Sequence, residues 1–144
     1  TEEKSRNTLD NTSYNLYNLD GNITGHDKLK SIYYFIDERG SNPVKCFMEN
    51  LSFDERKKAF SYIKELKEQG DNLRRPLAAY LGHGIYELRP KANRIFYFFF
   101  LKDNAVFVHA IRKKTDKILP KDLEICLKRK SLAEMLVKIE KLEL

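Results

Sequence analysis

Apolar runs and alternating patterns predict four strands in this chain. Residues 94–101 read Arg-Ile-Phe-Tyr-Phe-Phe-Phe-Leu, so apolar side chains fall on both alternating sets of positions. A strand of this kind is apolar on both faces, and we expect it at the centre of a sheet with cover on each side. Short polar turns at residues 90–93 and 102–104 join it to its neighbours as antiparallel hairpins. The other predicted strands are residues 29–37, 84–89 and 105–114.

Helical spacing and capping residues predict three helices. Pro43 has the position of a first-turn proline and begins a short helix. Ser52 and Glu55 have the spacing of a capping box, which begins a second helix that runs to Gly70. A last helix begins at Pro120. Its apolar residues fall near one side and are Leu123, Leu127, Leu132, Leu136 and Ile139.

The order of these elements is β-α-α-β-β-β-α, which is typical of a small α+β domain. We expect the first two helices to cover one face of the sheet and the last helix to be a second cover. Residues 74–82 are predicted to form a loop. We place one domain at residues 29–144 and an N-terminal arm, rich in Asn and Thr, at residues 1–28. The arm is either flexible or loosely docked, or it is an acidic flap on the basic sheet or an interaction segment.

Length and composition exclude several classes of protein. A chain of 144 residues fits one domain with a buried core. The longest apolar run, residues 95–101, is too short for a membrane span, and the chain does not open with a basic stretch followed by an apolar one. We therefore expect no membrane, no secretory signal and a cytoplasmic location. Cys46 and Cys126 stand singly, so we expect both to be buried and expect no metal site and no cofactor.

Basic residues concentrate on and beside the last three predicted strands. Residues 72–117 contain ten Lys and Arg against three acids, whereas the whole chain has a formal net charge of +6. A sheet with basic strand ends is a platform for polyanions, because contacts to phosphate supply the sequence-independent part of nucleic-acid affinity.

Arg89 and Arg94 are the strongest candidates for a phosphate site. One closes a predicted strand and the other opens the next across a tight turn, within reach of a single phosphate. Arginine suits this role because its planar fork binds phosphate oxygens in pairs. The alternative is that Arg89 pairs with Glu87 on the same strand face. Since Arg94 lies at the end of a strand where the chain enters it, we expect it outside the core, so that its replacement leaves the fold intact.

The end of the third of these strands adds a second group of candidates. Arg112, Lys113 and Lys114 share a sheet edge with the arginines, which favours phosphate binding over a merely solvated strand end. His109 lies on the same strand. Its ordinary pKa near 6.5 suits proton transfer if the ring faces the basic edge, whereas a lone strand histidine is more often a core residue. Both interpretations stay open.

These motifs resemble those of the phage-derived HigB-like toxins of the RelE/ParE superfamily. The resemblance covers about residues 29–130. It rests on residues 84–89 (Gly-Ile-Tyr-Glu-Leu-Arg), Arg94 with Tyr97, residues 109–114 (His-Ala-Ile-Arg-Lys-Lys), Pro120, Glu124 and Ile125. It implies a helical hairpin packed on a curved, mainly antiparallel four-stranded sheet, with a basic concave face left for RNA.

The resemblance also implies an activity. Such proteins are type II toxins that cleave mRNA, commonly on the ribosome, and a small HigA-like antitoxin holds them inactive. The RNA's own 2′-hydroxyl attacks without a metal ion, while cationic side chains stabilise the phosphorane. The implied catalytic residues are Arg89, Arg94, His109 and Lys113. The implied RNA-binding residues are Lys91, Arg112, Lys114, Arg74 and Arg75.

The chain departs from RelE at one strand and leaves other functions open. Ile85 and Glu87 stand where RelE feeds lysines into its site, so the general base is His109, a tyrosine or a lysine. A ParE-like toxin that binds DNA gyrase without catalysis is one alternative, and a non-catalytic RNA-binding module is another. The cationic cluster with a strand histidine favours the nuclease, because gyrase binding needs no cations poised for phosphate chemistry. The oligomeric state stays open.

Overall fold

The computed structural model describes residues 28–113, 117–136 and 139–144. Within these ranges the elements in chain order are β1 (Ser31–Phe35), α1 (Pro43–Glu49), α2 (Phe53–Gln69), β2 (Ala78–Gly82), β3 (Ile85–Leu88), β4 (Asn93–Phe100), β5 (Asn104–Arg112), α3 (Pro120–Leu136) and β6 (Ile139–Lys141). A single 3-10 turn, Gly70–Asn72, follows α2. The predicted N-terminal arm, residues 1–28, lies outside the described residues apart from residue 28.

The strands form one open sheet in the order β2-β3-β4-β5-β1-β6. β1 and β5 run parallel, and every other pair of neighbours is antiparallel. The α+β class and the mainly antiparallel sheet are therefore confirmed. The predicted number of four strands is wrong, because β2 and β6 each extend one edge of the sheet.

The two additional strands lie where other structure was predicted. Residues 78–82 were expected in a loop, yet they pair antiparallel with β3, with Ala78 opposite Leu88. The last helix was expected to include Ile139, but it ends at Leu136, and Ile139 pairs with Phe35 of β1. Both strands are short and lie at edges, and pairing with a neighbour outweighs their weak intrinsic preference for strand.

The predicted helix starts are confirmed by their hydrogen bonds. The side chain of Asn42 accepts a bond from the Lys45 amide at 3.1 Å, and Pro43 occupies the first turn of α1. The Ser52 hydroxyl accepts from the Glu55 amide at 3.2 Å, and the Glu55 carboxylate accepts from the Ser52 amide at 3.4 Å. These bonds satisfy amides that the first helical turn leaves without a backbone partner.

β4 lies in the interior of the sheet and is buried on both faces, as predicted. Ile95 and Tyr97 face the core formed with α1 and α2, which we call the α2 face. Phe96 and Phe98 face the core formed with α3, which we call the α3 face. The resemblance implied an open face for RNA, but α3 covers the centre of the sheet on its own side. Any site for RNA must therefore lie toward the ends or edges of the sheet.

The two cysteines differ in their surroundings. Cys126 of α3 is buried as expected, and burial raises the pKa of its thiol to about 12. Cys46 of α1 is exposed, so the expectation that it is buried is wrong. Among the described residues, the helices are all too short or too polar to cross a membrane.

Candidate functional site

Six cationic side chains lie at one end of the sheet, where β3 turns into β4 and β5 ends. The Arg89 amide donates to the Leu77 carbonyl at 2.8 Å, which brings the start of β2 against the end of β3. The Lys113 amide donates to the Ala92 carbonyl at 2.6 Å, which brings the end of β5 against the turn. We call this region the basic end, and its cations are Arg75, Arg89, Lys91, Arg94, Arg112 and Lys113.

A buried carboxylate lies between the two predicted phosphate-binding arginines. The Glu87 side chain is only 4% exposed. Its Oε2 accepts a bond from Arg89 Nη1 at 2.6 Å. Its Oε1 lies 3.8 Å from Arg94 Nε and has no hydrogen-bond donor among the described residues. The pairing of Arg89 with Glu87, which the sequence left as an alternative, is therefore present, and Arg94 shares the same carboxylate.

Arg94 is part of the protein interior, so the expectation that it lies outside the core is wrong. Its side chain is 5% exposed. Its Nη1 donates to the carbonyls of Lys91 at 2.8 Å and Asn93 at 2.7 Å, which closes the turn between β3 and β4. Removing this side chain would take a donor from both carbonyls and leave Glu87 with Arg89 alone, and we therefore expect a cost in stability.

The electrostatics around Arg94 show an excess of positive charge. Burial lowers the pKa of its guanidinium, and the charges of Arg89 and Arg75 lower it further, against the opposing effect of Glu87. Arginine remains protonated in proteins, so the lowered pKa reports unfavourable surroundings for a cation rather than a neutral side chain. An anion bound beside these arginines would relieve that unfavourable energy.

His109 lies on the same face of the sheet as Arg94 and Glu87. It stands opposite Phe96 in the β4–β5 pairing, just as Ile111 stands opposite Arg94. The imidazole stacks on the Phe96 ring, with centroids 5.6 Å apart and planes at 20°. Directly opposed and diagonal residues on one sheet face lie within reach of long side chains. The structure therefore brings Arg89, Arg94 and His109 to one face at the basic end.

Two residues of α3 contact the His109 ring. Its Nε2 lies 2.9 Å from Oδ1 of Asp122, and its Nδ1 lies 3.5 Å from Nη1 of Arg129, which donates to the Val108 carbonyl at 2.8 Å. Burial lowers the pKa of His109, and the bond to Asp122 opposes this. These partners assign a neutral ring with the proton on Nε2 and the lone pair on Nδ1.

The sequence did not single out Asp122 or Arg129 as partners of a histidine. Asp122 follows Pro120 in the first helical turn, where an acid is ordinarily explained by the helix dipole. Only the packing of α3 on β5 shows that its carboxylate meets His109. No pattern in the sequence indicates the Arg129 contact.

Arg112 lies on the other face of the sheet. Its Nη2 lies 2.6 Å from Oε2 of Glu55, which also accepts from Asn93 Nδ2 at 3.3 Å. The bond from Arg112 is the main cause that lowers the pKa of the Glu55 carboxyl. Arg112 is half-exposed and belongs with the α2 face rather than with His109.

The remaining predicted residues are spread around the basic end. Lys91 is exposed in the β3–β4 turn, with a left-handed φ of 57°. Arg74 and Arg75 are exposed in the segment before β2, and the Arg74 guanidinium donates to the carbonyls of Asp71 and Leu73. Lys113 is partly buried, and Lys114 lies outside the described residues.

Comparison with known protein families gives one match that covers more than half of the chain. The family model described as Phage derived protein Gp49-like (DUF891) matches residues 46–131. This range runs from α1 into α3 and contains the basic end, His109, Asp122 and Arg129. No curated protein matches the chain.

Proposed function

Because the chain belongs to the Gp49-like family of phage-derived proteins, within the RelE/HigB-like toxin superfamily, we propose that it is a type II toxin that cleaves mRNA. RelE-type toxins are ribonucleases, and a toxin of this family implies a cognate antitoxin. The proposed partner is a HigA-like antitoxin, and the proposed substrate is mRNA on the ribosome in the cytoplasm. The proposed cleavage needs no metal ion.

The excess of positive charge around Glu87 carries this proposal. One carboxylate faces two arginines, and Arg75 adds a third positive charge that acts on Arg94. Attack of a 2′-hydroxyl on a phosphodiester gives a phosphorane that is more negative than the substrate. Cations held in place before the reaction therefore stabilise the transition state more than the ground state.

The two arginines have different roles in this proposal. Arg89 is 23% exposed and can present a guanidinium edge to phosphate while Nη1 stays on Glu87. Arg94 contributes its positive charge from the protein interior, and it holds the β3–β4 turn in which Lys91 is exposed. Lys113, beside Ala92 at the end of β5, supplies a further cation to the leaving or attacking oxygen.

His109 is the proposed general base. Asp122 holds the proton on Nε2, so that the Nδ1 lone pair is the acceptor for a proton from the 2′-hydroxyl. The contact of Nδ1 with Arg129 is long at 3.5 Å, so a substrate hydroxyl can replace it. The His109 side chain is 14% exposed, so it is not fully closed off from solvent.

Induction in bacterial cells tests the proposal. The wild-type chain should stop translation and produce new mRNA ends. Arg89→Lys keeps the charge beside Glu87 but loses the planar fork, and we expect it to lower cleavage by ~10-fold or more. Lys102→Asn, in the turn at the opposite end of β4, is the control and should cleave normally. Gyrase-trapped DNA breaks without new mRNA ends would contradict the proposal.

A further inference from the structure

A row of aromatic side chains runs along the α2 face from the surface into the core. Tyr80 of β2 packs on Tyr86 of β3, with ring centroids 4.7 Å apart and planes at 50°. Tyr86 stacks on Tyr97 of β4 at 5.5 Å and 16°. Tyr97 is buried, whereas Tyr80 is 58% exposed. The proposed cleavage site, on the α3 face, uses none of these rings.

The position of the Tyr80 ring is fixed by the fold. One side of the ring packs on Tyr86, and its hydroxyl accepts a bond from the Gly84 amide at 3.0 Å. In the part of the chain that the structure describes, no strand pairs with the outer edge of β2. Because Tyr80 is mostly exposed, the side of its ring turned away from Tyr86 is open, and little side-chain freedom remains to be lost when another ring stacks on it.

Cations connect this ring with the basic end. The positive charge of Arg74 acts on Tyr86, against the nearby acid Asp71. Arg75 follows Arg74, and β2 starts beside Arg89 through the bond between the Arg89 amide and the Leu77 carbonyl. Tyr80 lies three residues beyond that bond, or about 10 Å at the rise of a strand. A phosphate chain that leaves the basic end past Arg75 can therefore bring a base to Tyr80.

We propose that Tyr80 is a stacking platform for one base of the single-stranded RNA that the basic end binds. This inference rests on the proposed function and adds a site outside the proposed catalytic group. Single-stranded RNA offers unpaired bases that stack on aromatic side chains, and such stacking tolerates any base because every base has a π face. A protein strand docked on the edge of β2 would use the backbone of β2 instead and would not require the ring.

The chain contains no tryptophan, so one introduced tryptophan reports on one position. Tyr80→Trp keeps an aromatic ring at the proposed platform. Met135→Trp, at an exposed position on α3, is the control. The probe is a short 2′-O-methyl RNA with a fluorescein label, which cannot be cleaved by 2′-hydroxyl attack. Its anisotropy reports binding, and quenching of the tryptophan emission reports stacking.

We expect quenching in the Tyr80→Trp variant with the same concentration dependence as the anisotropy, and no quenching in Met135→Trp. Tyr80→Ala should weaken binding about tenfold, within the range for loss of one stacked base, while Tyr80→Phe should stay close to wild type. For a probe that lacks its bases, Tyr80→Ala and wild type should bind equally.

The outcomes separate this inference from the proposed function. RNA binding without quenching at position 80 overturns the platform and leaves the ribonuclease proposal standing. Absence of RNA binding by the wild-type chain overturns both. If Tyr80→Ala fails to fold, crosslinking of 4-thiouridine RNA to the unaltered protein decides. Crosslinks in the peptide that contains Tyr80 support the platform, and crosslinks confined to other peptides overturn it.

Discussion

Two glutamates hold arginines at the same end of the sheet, on opposite faces and in different surroundings. Glu87 is buried on the α3 face and lies between Arg89 and Arg94. Glu55 begins α2 on the other face and binds the half-exposed Arg112. In the first group Glu87 and Arg94 are buried and only Arg89 is partly exposed, whereas in the second group water reaches both side chains.

This difference separates the roles of the cations. A buried charge without a partner is costly, so the group around Glu87 belongs to the folded structure as well as to the proposed site. A solvent-exposed pair exchanges partners readily and contributes little to stability. Substitutions of the buried Glu87 and Arg94 should therefore change folding first, and substitutions on the Glu55 side should change RNA binding with the fold intact.

The largest expected effect comes from Glu87→Gln. It keeps the shape of the side chain but leaves Arg94 buried without a counter-charge, and we expect the free energy of unfolding to fall by about 3–5 kcal/mol. Urea denaturation followed by circular dichroism measures this. Glu55→Gln is the matched control, because glutamine still forms the capping box. Equal losses in the two variants would remove the distinction between the groups.

The next largest effect is the contribution of His109 to the pH dependence of the protein's stability. Burial lowers its pKa in the folded protein, so the unfolded chain binds a proton more readily. Its stabilising contribution is present above the unfolded pKa of about 6.5 and is lost as pH falls toward the folded pKa, at no more than about 1.4 kcal/mol per pH unit. Asp122 and Arg129 both face the ring. Asp122 raises the pKa of His109 and Arg129 lowers it, and the pKa is lowered when both effects are included.

His109→Asn should therefore flatten the acid side of a plot of stability against pH. His83→Asn is the control, because His83 is exposed in the β2–β3 turn with a φ of 56°, which asparagine tolerates. Thermal unfolding at a series of pH values measures both. An unchanged pH profile in His109→Asn would show that this ring does not titrate with folding.

A smaller effect, on RNA binding, is expected when an exposed cation is replaced. Two lysines in turns allow a direct comparison between an exposed cation at the basic end and one outside it. Lys91 and Lys102 are both exposed and left-handed, with φ of 57° and 67°, at opposite ends of β4. Lys91→Asn should weaken RNA binding several-fold and reduce the slope of log affinity against log salt by about one. Lys102→Asn should change neither quantity, as fluorescence anisotropy over a salt series can show.

The smallest effect is expected on the Glu55 side. Glu55→Gln removes a carboxylate that competes with phosphate for Arg112, so RNA affinity should rise about twofold at low salt. Arg112→Gln should lower the affinity instead. An unchanged affinity in both Glu55→Gln and Arg112→Gln would place the RNA away from the α2 face.

Local sequence signals predicted the elements that depend on neighbouring residues. The capping box of Ser52 and Glu55, the first-turn Pro43 and the doubly apolar β4 each follow from rules that act within a few residues. β2 was missed because Ala78-Ala79-Tyr80-Leu81-Gly82 has little β preference of its own and is a strand through pairing with β3.

The site was harder to predict because it depends on packing between distant segments. The candidates Arg89, Arg94 and His109 do share one face. The burial of Arg94 depends on the path of the β3–β4 turn, whose carbonyls it binds. The contact of His109 with Asp122 depends on how α3 lies across β5. Neither follows from spacing along the chain.

The most direct test of the central claim uses purified protein and RNA in the presence of EDTA, with ribosomes added in a parallel reaction. If cations of the basic end stabilise attack by the 2′-hydroxyl, the upstream product carries a 2′,3′-cyclic phosphate and the downstream product a 5′-hydroxyl. The wild-type chain and Lys102→Asn should give these ends, and Arg89→Lys should give far fewer. Absence of cleavage in both reactions, or products with a 3′-hydroxyl, would contradict the account.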